Sequence, residues 1–215
     1  MYLENQPILQ KLYMLAVWIS RLAIVNVLWI LFTLLGLVVF GFGPATAAMS
    51  SVISRWVDSD QSFSVLRHFT RVYRKQFVKT NLIFLSTALI GAVLVYNYFF
   101  IQANNLPFFY SVITIAMGIT HLLISITIIP LYVNNHVRIL ELFKTSALFV
   151  IGYPLNSLVI VLAISGLVLI QLFMPGLLFF FSGSAITFVV VLRIQKVLEK
   201  TRLIQAKVSN GLSLS

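Results

Sequence analysis

Three long segments of the chain contain no Asp, Glu, Lys or Arg, and they restrict how it can fold. They cover residues 22–54, 80–137 and 145–192. An α-helix needs about 20 apolar residues to cross the hydrocarbon core of a bilayer, which is ~30 Å thick. The second and third segments are long enough for two crossings each. The pattern therefore predicts an all-α protein that spans a membrane several times.

The composition excludes a water-soluble enzyme. Hydrophobic residues make up 60% of the chain and charged residues only 9%, and the mean hydropathy is +1.02. Soluble domains have roughly 25% charged residues, which keep their surface hydrated. This chain has too few polar side chains to cover even a compact globule. Most of the protein surface is therefore expected to contact lipid.

Turn signals divide the two longer segments into hairpins. Asn and Pro residues at 102–107 interrupt the second segment, and a Met-Pro-Gly sequence interrupts the third just after residue 173. We expect one transmembrane hairpin over residues 80–133 and another over 145–192. Pro130 and Pro154 should kink the helices that contain them.

The first segment predicts a shorter hairpin over residues 22–57. Gly43 and Pro44 lie near its middle, where Gly ends one helix and Pro begins the next. We expect a full span over 22–41, followed by a short return helix over 44–57. Three hairpins give six helices in total, the second of them short.

The basic residues lie between the apolar segments and indicate the orientation. The chain has 15 Lys and Arg against 5 Asp and Glu. Basic clusters that flank apolar spans mark the cytoplasmic side, so we expect no nucleic-acid partner. The prediction is a single polytopic membrane domain over residues 1–215, with a cytoplasmic N-terminal segment over 1–21 and a basic cytoplasmic tail over 193–215. In the alternative, residues 44–57 form an interfacial helix, which leaves five spans and an N-terminus outside.

Residues 62–77 predict an amphipathic helix at the cytoplasmic face. Large apolar residues recur at three- and four-residue spacing along one side, and cations occupy the other. Such a helix lies in the plane of the interface, against anionic lipid headgroups. Alternatively, it docks on a cytosolic partner. The candidate contact residues are Phe63, Leu66, Arg67, Phe69, Arg71, Tyr73 and Arg74.

Three small residues on the short return helix form a candidate packing surface. Gly43, Ala47 and Ser51 are four residues apart and therefore share one helix face. Small residues at this spacing let two helix backbones approach closely in lipid. Alternatively, a half-helix that begins at Pro44 points the positive partial charge of its N-terminus at an anionic ligand group.

Polar residues inside the spans suggest a cavity. His121 lies near the middle of the predicted span over 108–133, and an ionisable residue at membrane depth is a functional candidate. Asn26, His121 and Asn156 are the candidate lining residues. Interhelical hydrogen bonds would account for the same three side chains without a cavity. No acidic residue lies inside a span, so neither a proton relay nor a metal site is predicted.

The sequence lacks the catalytic motifs of the common classes of enzyme. It has no cysteine, no phosphate-binding loop, no zinc-protease motif and no serine-hydrolase motif. Ser125 lies one helical turn from His121, but no acidic residue accompanies the pair to orient it. We therefore expect no catalytic residue and no cofactor, and the protein is predicted not to be an enzyme.

Several stretches in the first part of the chain resemble a known family. They are residues 18–33, residues 43–49, Phe69 with Phe77, and residues 79–81. In these stretches the chain resembles the YesL-type family of bacterial integral membrane proteins, a domain family of unknown function. The resemblance implies the cytoplasmic membrane of Gram-positive bacteria, and genes that often lie beside those of carbohydrate ABC importers. It implies no catalytic residue.

Two functions are expected on these grounds. The first is a non-catalytic accessory protein that assembles with the permease subunits of a carbohydrate ABC importer, as the resemblance implies. The alternative is an autonomous transporter of a small solute, a sugar or a sugar acid, acting alone or as a homo-oligomer. The polar residues His121, Asn26 and Asn156 would then line its cavity near the midplane of the membrane.

Overall fold

The computed structural model describes residues 7–60, 62–135 and 139–212, and the described residues contain seven α-helices and no strand. The first six residues of the segment predicted at 1–21, and the last three of the tail predicted at 193–215, lie outside these ranges. The all-α class is confirmed. The helices are α1 (Pro7–Leu35), α2 (Val39–Val57), α3 (Val65–Ala103), α4 (Phe108–Asn135), α5 (Ile139–Gly152), α6 (Pro154–Phe173) and α7 (Gly176–Leu212).

Five helices are long and apolar enough to cross a bilayer, which agrees with a membrane-spanning protein. They are α1, α3, α4, α6 and α7. Two predicted turns lie where the sequence placed them. The first separates α3 from α4 between Ala103 and Phe108, and the second separates α6 from α7 between Phe173 and Gly176. Hairpins α3–α4 and α6–α7 follow from these turns.

Helix α2 is the buried centre of the bundle. It packs against α1, α3, α4 and α7, and 12 of its 19 residues are buried. The residues that face the neighbouring helices are mostly small, and small side chains let helix backbones come close together in lipid. The helix begins at Val39, five residues earlier than the return helix predicted over 44–57. Pro44 lies inside its first turns and does not begin it.

Gly43 allows the closest approach between α2 and α3. A Cβ atom at this position would lie 2.8 Å from the carbonyl oxygen of Thr80 and 3.3 Å from the Cβ of Phe84. Ala47 is fully buried in the core, and Ser51 is half-buried, with its Oγ 2.8 Å from the Nε2 of His68. The face predicted from small-residue spacing is thus turned toward α3 at both ends.

Helix α3 corrects the prediction of a separate interfacial helix over 62–77. The amphipathic stretch and the following span form one helix of 39 residues, about 58 Å long. No Gly or Pro lies between residues 65 and 90, so nothing interrupts the helix once it has started. The amphipathic stretch is therefore an extension of a spanning helix.

The third predicted hairpin also needs a correction. A span was expected to start at residue 145, but α5 ends at Gly152 and α6 begins at Pro154. Proline at the first position of a helix costs no hydrogen bond, whereas Pro154 inside a helix would have lost one. The predicted kink is therefore a break. The Oγ of Ser157 donates to the carbonyl oxygen of Val150 across it, at 2.8 Å.

Asn26 fastens α1 to α7. Its Nδ2 donates to the carbonyl oxygen of Phe179 at 2.7 Å, and its Oδ1 accepts from the backbone N–H groups of Gly183 and Ser184 at 3.0 and 2.9 Å. In a regular helix the Gly183 N–H bonds to the Phe179 carbonyl. The Asn26 amide therefore hydrogen-bonds to both members of one helical hydrogen-bond pair, and it is fully buried there.

Replacing Asn26 by Leu should destabilise the protein by about 1–3 kcal/mol, because it removes three buried hydrogen bonds between α1 and α7. The matched control is Asn156→Leu, at a half-buried position at the start of α6. Thermal unfolding of both variants in mild detergent measures the difference. Equal unfolding temperatures for the two variants would show that the Asn26 contacts contribute nothing.

Candidate functional site

A cavity of about 670 Å³ lies between the helices, next to α2. Residues of α1, α2, α3, α4 and α7 line it. Glycines on three of these helices contribute to the lining, namely Gly91 on α3, Gly118 on α4 and Gly183 on α7. Its size falls in the range of about 300–1,000 Å³ that is typical of small-molecule sites. It is the candidate functional site.

His121 provides the main polar group of the cavity wall. Its Nε2 lies 3.0 Å from the carbonyl oxygen of Thr87 on α3 and 3.4 Å from the Oγ of Ser125. A carbonyl oxygen only accepts, so Nε2 carries the hydrogen and donates it. In a neutral imidazole the other nitrogen, Nδ1, is then an acceptor. Among the described residues, no hydrogen bond to Nδ1 is found.

The other hydroxyl and indole groups of the wall are mostly paired within the protein. The indole N–H of Trp29 donates to the Oγ1 of Thr46 at 3.1 Å, and Thr46 donates to the carbonyl oxygen of Phe42 at 2.8 Å. The hydroxyl of Thr87 donates to the Phe84 carbonyl at 2.8 Å. These groups shape the wall without offering a free donor.

Ser125 and His121 are not arranged for nucleophilic catalysis. The Ser125 hydroxyl donates to the backbone carbonyl of His121 at 2.9 Å, and the Nε2–H of His121 points to Thr87. A general base would have to accept the serine proton through an unprotonated ring nitrogen. Among the described residues, no group of three or more His, Cys, Asp or Glu lies close enough together to hold a metal ion.

The three predicted cavity residues have different positions in the structure. His121 lines the cavity and also makes an interhelical hydrogen bond. Asn26 does not line it, but it holds Gly183, which does. Asn156 lies away from the lining, in the first turn of α6, where its backbone N–H donates to the Tyr153 carbonyl at 2.9 Å.

Sequence reasoning missed the residues that create the space. Gly91 is the clearest case, because a Cβ there would lie 3.3 Å from the Nε2 of His121. A signal was present in the sequence. On α3, lining residues recur at 87, 88, 91, 94 and 95, which is the spacing of a single helix face. The small members of that face, Ala88 and Gly91, leave room next to His121.

The predicted cytoplasmic contact surface is divided into a buried half and an exposed half. Phe69 is fully buried, and its ring lies 4.9 Å from that of Phe32 on α1. The hydroxyl of Tyr73 donates to the Phe32 carbonyl at 3.1 Å, and Phe63 is half-buried beside Trp56. The aromatic side is therefore internal, a correction to its predicted role in lipid or partner contact. The exposed members are Leu66, Arg67, Arg71 and Arg74.

A polar network fixes the corner between α2 and α3. The Nε of Arg55 donates to the Oδ2 of Asp60 at 2.9 Å, and its NH1 lies 3.1 Å from the Nδ1 of His68. The Arg55 guanidinium also stacks on the Phe63 ring at 4.1 Å. The hydrogen bond from Arg55 holds the pKa of the Asp60 carboxyl below its usual range. This corner sets where the basic extension of α3 begins.

Comparisons with known proteins identify the family. Residues 22–98 match the family described as a protein of unknown function, DUF624. The chain is 30% identical over 189 residues to the uncharacterized protein YteU of Bacillus subtilis, covering 86% of this chain and 84% of the relative. It is 32% identical over 166 residues to the uncharacterized protein YesV of the same organism, covering 76% and 79%.

A third relative is the uncharacterized protein YesL of Bacillus subtilis, 29% identical over 172 residues, with 80% of this chain and 82% of the relative covered. No solved structure matches the chain. The family match covers the second half of α1, all of α2 and most of α3, and these helices contribute part of the cavity lining. This chain therefore belongs to the YesL-type family of bacterial membrane proteins.

Proposed function

We propose that this protein is a non-catalytic membrane protein that binds a small uncharged organic molecule in the cavity beside α2 and carries it within or across the membrane. The cavity of about 670 Å³ with His121 in its wall is the observation that supports this proposal. Clefts of about 300–1,000 Å³ that are lined by apolar side chains with a few polar groups are typical of small-molecule sites. The proposal keeps the expected transporter function, with this cavity as its proposed binding site.

The absence of charge in the described lining supports an uncharged ligand. Every lining residue is apolar, aromatic or neutral and polar, apart from His121. A charged group buried without a partner of opposite sign would lose several kcal/mol of hydration free energy. A sugar acid, one of the expected substrates, would therefore bind this cavity poorly.

Filling the cavity should remove binding without unfolding the protein. Gly91→Leu places a side chain against His121, whereas Ala92→Leu adds the same side chain at the next, exposed position outside the lining. Native mass spectrometry of protein purified in lipid nanodiscs should detect a bound small molecule in the native protein and in Ala92→Leu. In Gly91→Leu the bound fraction should fall at least tenfold. Equal occupancy in both variants would contradict the proposal.

The accessory role in a carbohydrate ABC import system is the second candidate. It is supported by the exposed basic side of the α3 extension, where Arg67, Arg71 and Arg74 occupy one helix face together with Lys75. Such a face fits an acidic surface on a permease subunit. The proposed partner of this protein is a permease subunit of a carbohydrate ABC importer, as the family resemblance implies.

Reversing the charge of that face should abolish recovery of the partner. The variant is Arg67→Glu with Arg71→Glu and Arg74→Glu, because all three side chains are exposed and their exchange leaves the core intact. The control reverses charge at Lys196 and Lys200, which are exposed on α7. Affinity purification from native membranes should recover importer permeases near one to one with the control only. Recovery of the chain alone, with no permease even in the native protein, would exclude the accessory role.

We propose six crossings of the bacterial cytoplasmic membrane, by α1, α2, α3, α4, α6 and α7. Helix α2, with 19 residues, is about 28 Å long, and its position among four other helices supports a crossing and not an interfacial location. Helix α5, with 14 residues, is about 21 Å long and too short to cross. Both termini and the basic extension of α3 then lie in the cytoplasm.

Single cysteines test this topology directly, because the chain has no cysteine of its own. A membrane-impermeant maleimide applied to intact cells should label Val38→Cys and Asn105→Cys, which lie in two of the three turns proposed to face outward. Ser59→Cys should react only after permeabilisation. Protection of Val38→Cys in intact cells would favour the five-span alternative, in which the chain begins outside.

A further inference from the structure

We infer that the ligand of the cavity enters from the bilayer and is a lipid-soluble molecule, with an apolar chain and one uncharged group that donates a hydrogen bond, such as a long-chain alcohol. The inference rests on the proposed binding function and specifies its substrate class. It differs from the expectation of a sugar, which would arrive from water.

The cavity reaches the outer surface of the bundle at the side. Val95 on α3 and Leu122 on α4 both line the cavity, yet each is 58% exposed. Both lie in the charge-free segment 80–137, far from any basic cluster. The surface around them is apolar, and in a membrane it is covered by acyl chains. A molecule can therefore pass between the acyl chains and the cavity without crossing a polar surface.

The polar groups of the wall are too few for a sugar. Each sugar hydroxyl needs a partner when it leaves water, and several such groups would remain unpaired here. Trp29, Thr46, Thr87 and Ser125 already use their donor hydrogens inside the protein. The remaining polar groups of the wall are the Nδ1 of His121 and the hydroxyls of Ser182 and Thr187. They are enough for one hydroxyl group on the ligand, but not for the several hydroxyl groups of a sugar.

The apolar part of the lining fits a hydrocarbon chain. Phe84, Leu94 and Ile126 on α3 and α4, together with Ile186 on α7, surround the polar group at His121. A hydrocarbon chain that moves from the bilayer into the cavity leaves one apolar environment for another. The affinity therefore depends on the fit of the chain and on the few hydrogen bonds at the wall. His121 thus selects a ligand with a hydroxyl group, and the apolar wall accommodates the hydrocarbon chain of that ligand.

Photolabelling with a diazirine derivative of hexadecanol in proteoliposomes tests the inference. The expected result is saturable labelling of peptides from α3 and α4 near residues 88–95 and 118–126. A tenfold excess of unlabelled hexadecanol should reduce the labelling about tenfold, and millimolar glucose should leave it unchanged. Gly91→Leu should reduce labelling at least tenfold and Ala92→Leu less than twofold. Should Gly91→Leu not be recovered, Leu122→Trp closes the exposed rim of the cavity and is expected to give the same loss.

A second variant examines the hydrogen bond. His121→Leu keeps an apolar side chain of similar size but removes the acceptor, so labelling by the alcohol should require about tenfold more probe. Labelling by a diazirine derivative of hexadecane, which has no hydroxyl group, should be the same in both proteins. An equal effect on the two probes would overturn the assigned role of His121.

Two other outcomes overturn the inference. Labelling spread over all lipid-facing helices, equal in Gly91→Leu and Ala92→Leu, would show that the probe reports only surrounding lipid. Protection by glucose, but not by hexadecanol, would refute the ligand class and leave the proposed binding function intact. If the native protein also retains no small molecule in nanodiscs, the proposed function itself fails.

Discussion

The close approach between α2 and α3 is the contact on which the remaining architecture depends. Gly43 lets the α2 backbone lie against the Thr80 carbonyl, and α1, α4 and α7 then pack around the buried α2. In lipid the hydrophobic effect does not drive helices together. The free energy of helix association therefore comes from dispersion forces and from hydrogen bonds. A helix of small residues is suited to that role because several neighbours can approach it at once. Its larger neighbours then leave a gap on one side, which is the cavity beside His121.

The membrane-spanning helices and the turns between them could be predicted, because they depend on the order of apolar, charged and turn-forming residues along the chain. The charge-free segments indicated the membrane, and the turns at 102–107 and after Phe173 are present in the structure. The sequence did not predict features that depend on contacts between distant residues. The α3 extension was expected to lie flat on lipid, but α1 and α2 provide an internal partner for its aromatic side. The periodicity of an amphipathic helix is the same for both environments, so the pattern alone cannot distinguish them.

The candidate site was predicted only in part, for a similar reason. His121 was recognised because an ionisable group in a span is unusual. Asn156 has the same polar character, but it lies at a helix start where the break at Pro154 places it away from the cavity. The space is bordered by glycines of two kinds: a Cβ at Gly118 would meet no atom within 4 Å, whereas a Cβ at Gly183 would lie 3.2 Å from the Trp29 ring. A glycine that opens a cavity and a glycine that allows close packing look alike until the facing helix is known.

The Asn26 contact has a consequence for how the protein is assembled. Asn26 lies in the first helix, and its backbone partners lie in the last, 153 to 158 residues further along the chain. During synthesis the amide enters the membrane long before α7 exists, and an unpaired amide in hydrocarbon is unfavourable. The Asn26 amide can therefore reach its native partners only after the last helix has been synthesised, although the α1–α2 contact through Trp29 and Thr46 is available earlier. A chain that ends before α7 would leave this amide without its native hydrogen bonds in the bilayer.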